Sequence, residues 1–291
     1  MKKKIIVANW KMNNGFDEAD QWFLGLLQKH ETEKNVLQNV DAVVCPCVIL
    51  IDSMAANLAD YSFDSVEKNV ALQNKAIEEF KEEELTKMVL AQKPLSIGAQ
   101  DCHYESFGAF TGDVSAKMIA EVGCEYVILG HSERRQNHVE SSETVSKKVS
   151  AVGAQKLIPI LCVGESKEIR DAGSHLEFVY KQLMESAPKT EKFKKFVIAY
   201  EPIWSIGTGV VPSVAQIKEM MNLIHKVARE KLSHLADEFF VLYGGSVSVD
   251  NSGEILAISN LDGLLIGKVS LNVDDFFDIC KKASVATSVS V

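Results

Sequence analysis

Eight short apolar runs, each followed by a stretch with helical spacing, constrain this chain more than any other feature. They occupy residues 4–9, 41–46, 95–100, 126–130, 157–164, 196–202, 238–245 and 263–268. Each run is continuously apolar rather than alternating, the pattern of a strand covered on both faces in a parallel sheet. Helix-forming segments, such as 17–29, 116–122, 174–186 and 213–233, lie between them. Eight βα units over 291 residues predict a closed (β/α)8 barrel, read as a single α/β domain over residues 1–291. An open doubly wound sheet is the alternative. It usually has fewer strands, and no GxGxxG follows the first run.

One stretch breaks the even repeat. From about residue 60 to 93 the chain carries an acidic, helix-prone insertion between strands 2 and 3, with Ala76 to Leu85 at its centre. It reads as a solvated helix appended to the second βα unit. The small, polar tail 283–291 is expected to fray.

The net charge of −9 argues against a nucleic-acid or anionic-membrane partner, although a local basic pocket remains compatible with it. Six cysteines are scattered through the chain, which points to reduced thiols and a cytoplasmic location. Cys45-Pro46-Cys47 lacks the companion ligands of a zinc site, so no metal is expected. No apolar run approaches the ~20 residues of a membrane helix. Lys2 to Lys4 are followed by too short an apolar run for a signal peptide.

Polar residues and glycines cluster just after the strands, and in a barrel those strand ends share one face. Asn9 and Lys11 follow the first strand, which suggests a cation held at the barrel mouth. His131 follows the fourth and precedes a helix for which Ser132 is the expected cap. A lone histidine is either structural or catalytic; here the helix dipole opposes a positive charge, which predicts a neutral, hydrogen-bond-donating imidazole. Glu201 ends the sixth strand, where a carboxylate is costly unless paired or used. The segment after it, Pro202 to Gly209, has the glycines and aromatic residue of a mobile lid. Gly244-Gly245-Ser246 and Gly267-Lys268 follow strands seven and eight, where barrels often close backbone amides on a phosphate.

Together NWKMN, GAQD with GAFTGD, GHSERR, AYEPIWSIGTG, YGGSV and DGLLIG closely resemble, in order, the signature segments of the triosephosphate isomerase family. The resemblance spans nearly the whole chain. It implies a TIM barrel that interconverts dihydroxyacetone phosphate and glyceraldehyde 3-phosphate in glycolysis and gluconeogenesis, without a cofactor. It further implies that Glu201 is the base and His131 the neutral electrophile, with Lys11 and Asn9 stabilising the enediolate. Glu133 would support Lys11 as its ion-pair partner. Phosphate binding would fall to the amides of Gly207, Ser246, Gly267 and Lys268. This family is the standard case of a glutamate base beside a dipole-neutralised histidine, so these roles come with the resemblance and not from spacing. The loop 100–113 resembles the arm that docks into a second subunit, with Thr111 reaching the neighbour's catalytic residues; a homodimer follows.

Several positions depart from the family pattern. Lys268 stands where glycine is usual, and if its backbone required φ > 0 the cost would be about 1 kcal/mol. Asp101 replaces an asparagine, and Val210-Val211-Pro212 form an unusual far hinge in which proline fixes φ. Two rival readings remain. A different phosphate-binding barrel would not need Lys11, His131 and Glu201 together. A barrel kept only for surface binding would not need them at all.

Overall fold

The computed structural model describes residues 2–71, 81, 84, 88–89 and 93–288. In it eight parallel strands close into a barrel in sequence order. They are β1 (Lys4–Asn9), β2 (Val40–Cys45), β3 (Ser96–Ala99), β4 (Tyr126–Leu129), β5 (Ile158–Val163), β6 (Phe193–Tyr200), β7 (Ala236–Tyr243) and β8 (Gly263–Ile266). β8 closes on β1 with Ile5 to Ala8 opposite Gly263 to Ile266. Each apolar run overlaps one strand. β6 and β7 begin earlier than their hydrophobicity indicates because they pair from Phe193 opposite Ala236 onward, which carries Lys195 opposite Glu238 into the sheet.

The strands are apolar on both faces because the barrel has two cores. Ile5, Val7, Val43, Ile128, Val197 and Leu242 fill the interior. Their sequence neighbours, such as Ile6, Val44, Val127, Ile198 and Val241, face the surrounding helices. Successive strand side chains point to opposite faces, so a strand buried on both sides loses its alternation.

The helices follow from ordinary capping and amphipathic spacing. Ser213 accepts from the Gln216 amide at 3.3 Å, and Gln216 Oε1 accepts from the Ser213 amide at 2.9 Å, closing a capping box. The helix it starts, Val214–Lys231, buries Ile217, Met220, Met221, Ile224, Val227 and Ala228 at three- and four-residue intervals.

Two expectations change. The helix Ile51–Ala71 runs well past residue 60 and buries Ser62 and Val66, so residues 60–71 belong to the barrel's second helix rather than to an addition. The acidic centre of the expected insertion lies outside the described residues, apart from Lys81 and Glu84. The tail does not fray at 283: the helix Val273–Ser288 includes it, with Ala283 fully buried. Apolar contact outweighs the weak helix propensity of Ser and Val there. Residues 289–291 lie outside the described residues.

Candidate active site

At the carboxyl end of the strands, Asn9, Lys11, His131, Glu133, Glu201, Gly207, Ser246, Gly267 and Lys268 line one cavity of roughly 550 Å3. The barrel brings them there from five different strand ends. Thr111 does not join them: it is exposed on the 100–113 loop of the same chain.

Lys11 is held in a left-handed backbone conformation, φ 54°, which a side chain with a Cβ adopts only at a cost of roughly 1–2 kcal/mol. Two neighbours fix it. Asn9 Oδ1 accepts from the Lys11 amide at 3.1 Å, and Gln100 Nε2 donates to the Lys11 carbonyl at 2.7 Å. Gln100 also donates to the carbonyl of Cys45 at 3.0 Å, tying three strand ends together. The Lys11 ammonium then reaches Glu133 Oε1 at 2.6 Å. Asn9 therefore acts on Lys11 through the backbone.

His131 itself, not Ser132, caps the short helix Ser132–Asn137: its Nδ1 accepts from the Glu133 amide at 3.2 Å. An Nδ1 that accepts carries no proton, so the proton of the neutral ring sits on Nε2. That nitrogen faces Glu201 Oε1 at 2.8 Å. The expectation of a dipole-neutralised ring is met only in part. Burial and Lys11 do favour the neutral form, but the adjacent Glu201 carboxylate outweighs them and raises the His131 pKa above its ordinary value.

Glu201 is 2% exposed, and both of its oxygens are engaged. Oε1 meets His131, and Oε2 accepts from the Ser132 amide at 2.9 Å. Burial alone would raise its pKa; His131, the Ser132 amide and Lys11 reverse the sign and leave it lowered. The carboxylate is thus ionised, dry and held by groups that a substrate can displace. Its backbone is wedged against Gly164, where a Cβ would fall 1.7 Å from the Glu201 carbonyl oxygen.

Below the lid lies a second buried acid that sequence reading did not single out. Glu165 follows β5 as Glu201 follows β6, a parallel that could have flagged it. It is fully buried, and its Oε1 accepts from Arg170 Nε at 2.9 Å, Tyr200 OH at 3.0 Å and Trp204 Nε1 at 3.0 Å. Trp204 opens the lid, so this carboxylate anchors the near hinge. Ser205, also missed, is buried beside it; its Oγ donates to the Val210 carbonyl at 2.8 Å and accepts from the Ser246 amide at 3.1 Å. The lid tip turns on Gly207 and Gly209, at φ 70° and 76°, both exposed.

Lys268 starts a 3-10 turn, Lys268–Leu271, and is not among the residues with positive φ. The strain expected if φ were positive is absent, because the preceding Gly267, with φ −87° and ψ −117°, makes the bend instead. A further cavity of roughly 680 Å3 shares Asn9, Lys11, His131 and Glu133 with the first and opens toward Met12, Cys47 and His103. Among the described residues no group of three or more His, Cys, Asp or Glu is arranged to hold a metal ion. All six cysteines are free, and no described helix is long and apolar enough to cross a membrane.

A family model described as triosephosphate isomerase matches residues 4–76 and 77–283. A triosephosphate isomerase from Cytophaga hutchinsonii is 39% identical over 290 residues, covering 97% of this chain and 99% of its own. One from Jannaschia sp. is 38% identical over 286 residues, covering 98% and 100%. The crystal structure of triosephosphate isomerase from Bartonella henselae, 30% identical, superposes with a TM-score of 0.71 over 96% of this chain and 98% of that one. With the signature segments, the closed barrel and the strand-end cavity in agreement, the chain belongs to the triosephosphate isomerase family.

Proposed function

We propose that Glu201, His131, Lys11 and Asn9 carry out the isomerisation of dihydroxyacetone phosphate and D-glyceraldehyde 3-phosphate in this chain. The observation that carries the reading is the contact of Glu201 Oε1 with His131 Nε2 at 2.8 Å inside a cavity shared with Lys11. Glu201 and His131 are already in contact at the wall of the cavity a substrate would enter.

The substrate displaces Glu201 from His131 and Ser132. The freed carboxylate takes the proton from the carbon beside the carbonyl, and the C–H electron pair moves to the carbonyl oxygen as an enediolate. His131 Nε2–H and the Lys11 ammonium meet that developing charge, and placed donors in a dry site stabilise it far more than water does. His131 relays a proton between the two oxygens, and Glu201 returns its own to the neighbouring carbon. Protons and electrons balance without a cofactor. Glu133 holds Lys11, with its Oε1 at 2.6 Å from Nζ.

The phosphate lies against the amides of Gly207, Ser246, Gly267 and Lys268. Ser246 must first leave Ser205, to which its amide now donates. Closure of the lid over the dianion then excludes water.

A homodimer through the 100–113 loop completes the reading, with Thr111 of one chain beside Lys11 of its partner. Exposed Phe107 and Met12, at 85% and 92%, supply the apolar surface, and the cavity beside Lys11 gives the loop a place to enter. Free, mostly buried thiols support a cytoplasmic location, and residues 1–291 are read as one barrel domain.

The test is a coupled assay on glyceraldehyde 3-phosphate. Glu201→Ala lowers turnover by orders of magnitude while the far-UV circular dichroism stays unchanged; an unaltered rate would refute the assignment. Sedimentation of the native chain and Phe107→Asp tests the dimer, which the variant weakens.

A further inference from the structure

A cavity of roughly 830 Å3 opens at the opposite end of the barrel, where the strands begin. Its floor is polar at positions that face the interior. Asp41, Tyr126, Lys195 and Glu238 lie two residues before the inward-facing Val43, Ile128, Val197 and Phe240, so they share the inner face at the foot of the barrel. Lys195 Nζ pairs with Asp41 Oδ2 at 2.8 Å, lies 3.4 Å from Tyr126 OH and sits 4.9 Å over the Phe240 ring.

The rim carries an unbalanced charge. Lys93 pairs with Glu125 at 3.5 Å, and Asp237 is taken by Lys192 at 3.0 Å. Three other lining lysines, Lys3, Lys156 and Lys194, are exposed and have no ion-pair partner among the described residues. They come from three separate parts of the chain and face one unpaired lining carboxylate, Glu238. In a chain of net charge −9 such a local excess of cations repels itself until an anion enters.

We propose that this cavity binds a small molecule carrying two or more phosphate groups. Its volume falls in the range of small-molecule sites, about 300–1,000 Å3, and exceeds what a single phosphate ion fills. Lysines spread round a rim suit several separated dianionic groups, each ammonium acting as a strongly hydrated point charge. Tyr126, Ile158 and Leu95 in the lining supply apolar surface for the carbon skeleton. This ligand is separate from the triose phosphate, whose cavity lies at the other end of the strands.

The experiment is a 15N–1H correlation titration of the full chain with inorganic tripolyphosphate and, separately, a hexose bisphosphate, at low salt. Both probes are expected to move the amides of Lys156, Lys194 and Tyr126, apart from any movement at Gly207 and Ser246. The double variant Lys156→Glu/Lys194→Glu, exposed at both positions, should weaken that response at least tenfold and leave kcat and KM for triose phosphate unchanged. Shifts confined to the lid side, floor shifts that survive the double variant, or equal floor shifts with inorganic phosphate would each overturn the proposal. A floor response to the hexose bisphosphate but not to tripolyphosphate supports it and assigns the carbon skeleton to the apolar lining.

Discussion

His131 Nε2 lies 2.8 Å from Glu201 Oε1, so each group sets the other's charge before any substrate arrives. Burial disfavours the imidazolium, yet the carboxylate raises the His131 pKa, and His131 in turn helps to lower that of Glu201 against its own burial. A histidine with a raised folded pKa stabilises fully below its unfolded value and loses that contribution as pH rises through the folded one. A carboxylate with a depressed folded pKa stabilises above its unfolded value and loses it as pH falls through the folded one. The pair therefore contributes most between the ordinary values of 4.5 and 6.5.

Glu201→Gln removes the main influence holding the His131 pKa up. Burial and Lys11 then dominate over the more distant Glu133, and the pKa should fall below 6.5. Ring-nitrogen NMR across pH 4–9 reads this directly, and a pKa still above 6.5 would show that Glu201 is not the cause. The thermal stability advantage of the native chain over the variant should also shrink as pH rises past the native His131 pKa.

Gly164→Ala places a methyl carbon 1.7 Å from the Glu201 carbonyl oxygen. No rotamer relieves a clash of Cβ with backbone, so β5 and β6 must separate. Overpacking of this kind costs about 1–3 kcal/mol, and the displaced base should cut kcat by ~100-fold through misorientation. Urea melts and steady-state kinetics check both.

Ser205→Ala removes the hydroxyl that holds both the Val210 carbonyl and the Ser246 amide. A buried hydrogen bond of this sort contributes about 0.5–1.5 kcal/mol. Because the ligand-free form loses it and a phosphate-bound Ser246 does not use it, inhibition by inorganic phosphate should tighten several-fold. Weaker inhibition would mean that Ser205 also serves the closed form.

Lys268→Gly relieves no backbone strain, since Lys268 is outside the positive-φ set. The variant should be no more stable than the native chain and slightly less so, because glycine adds freedom to the unfolded state. Phosphate inhibition should weaken as the ammonium is lost. A gain in melting temperature would contradict the structure.

The barrel was legible in the chain because a strand buried on two sides must be apolar throughout, and eight such runs leave few ways to close a sheet. Lys11, His131 and Glu201 were legible because each polar residue breaks an apolar run at its end. Short-range pattern did not reach further. Which residue caps the helix after β4 depended on the ring nitrogen of His131 turning back to Glu133, a matter of side-chain rotation that Ser132 satisfies equally well on paper. The start of β6 was hidden because Lys194 and Lys195 interrupt its apolar pattern, and Lys195 meets its partner Asp41 only across the foot of the barrel. The insertion likewise was placed too early at residue 60, since Ser62 and Val66 look unremarkable until they are packed.

Sequence alone determined the order of the βα units and the chemical types presented at their ends, because both depend on neighbours along the chain. Only the tertiary structure decided the charge and engagement of those groups. Glu201 is ionised against His131, Ser246 is held by Ser205, Lys268 is unstrained behind Gly267, and Glu165 anchors Trp204. The contacts of Glu201, Ser246 and Glu165 depend on distances of about 3 Å between residues on different segments, where burial strengthens every contact and no linear pattern records it.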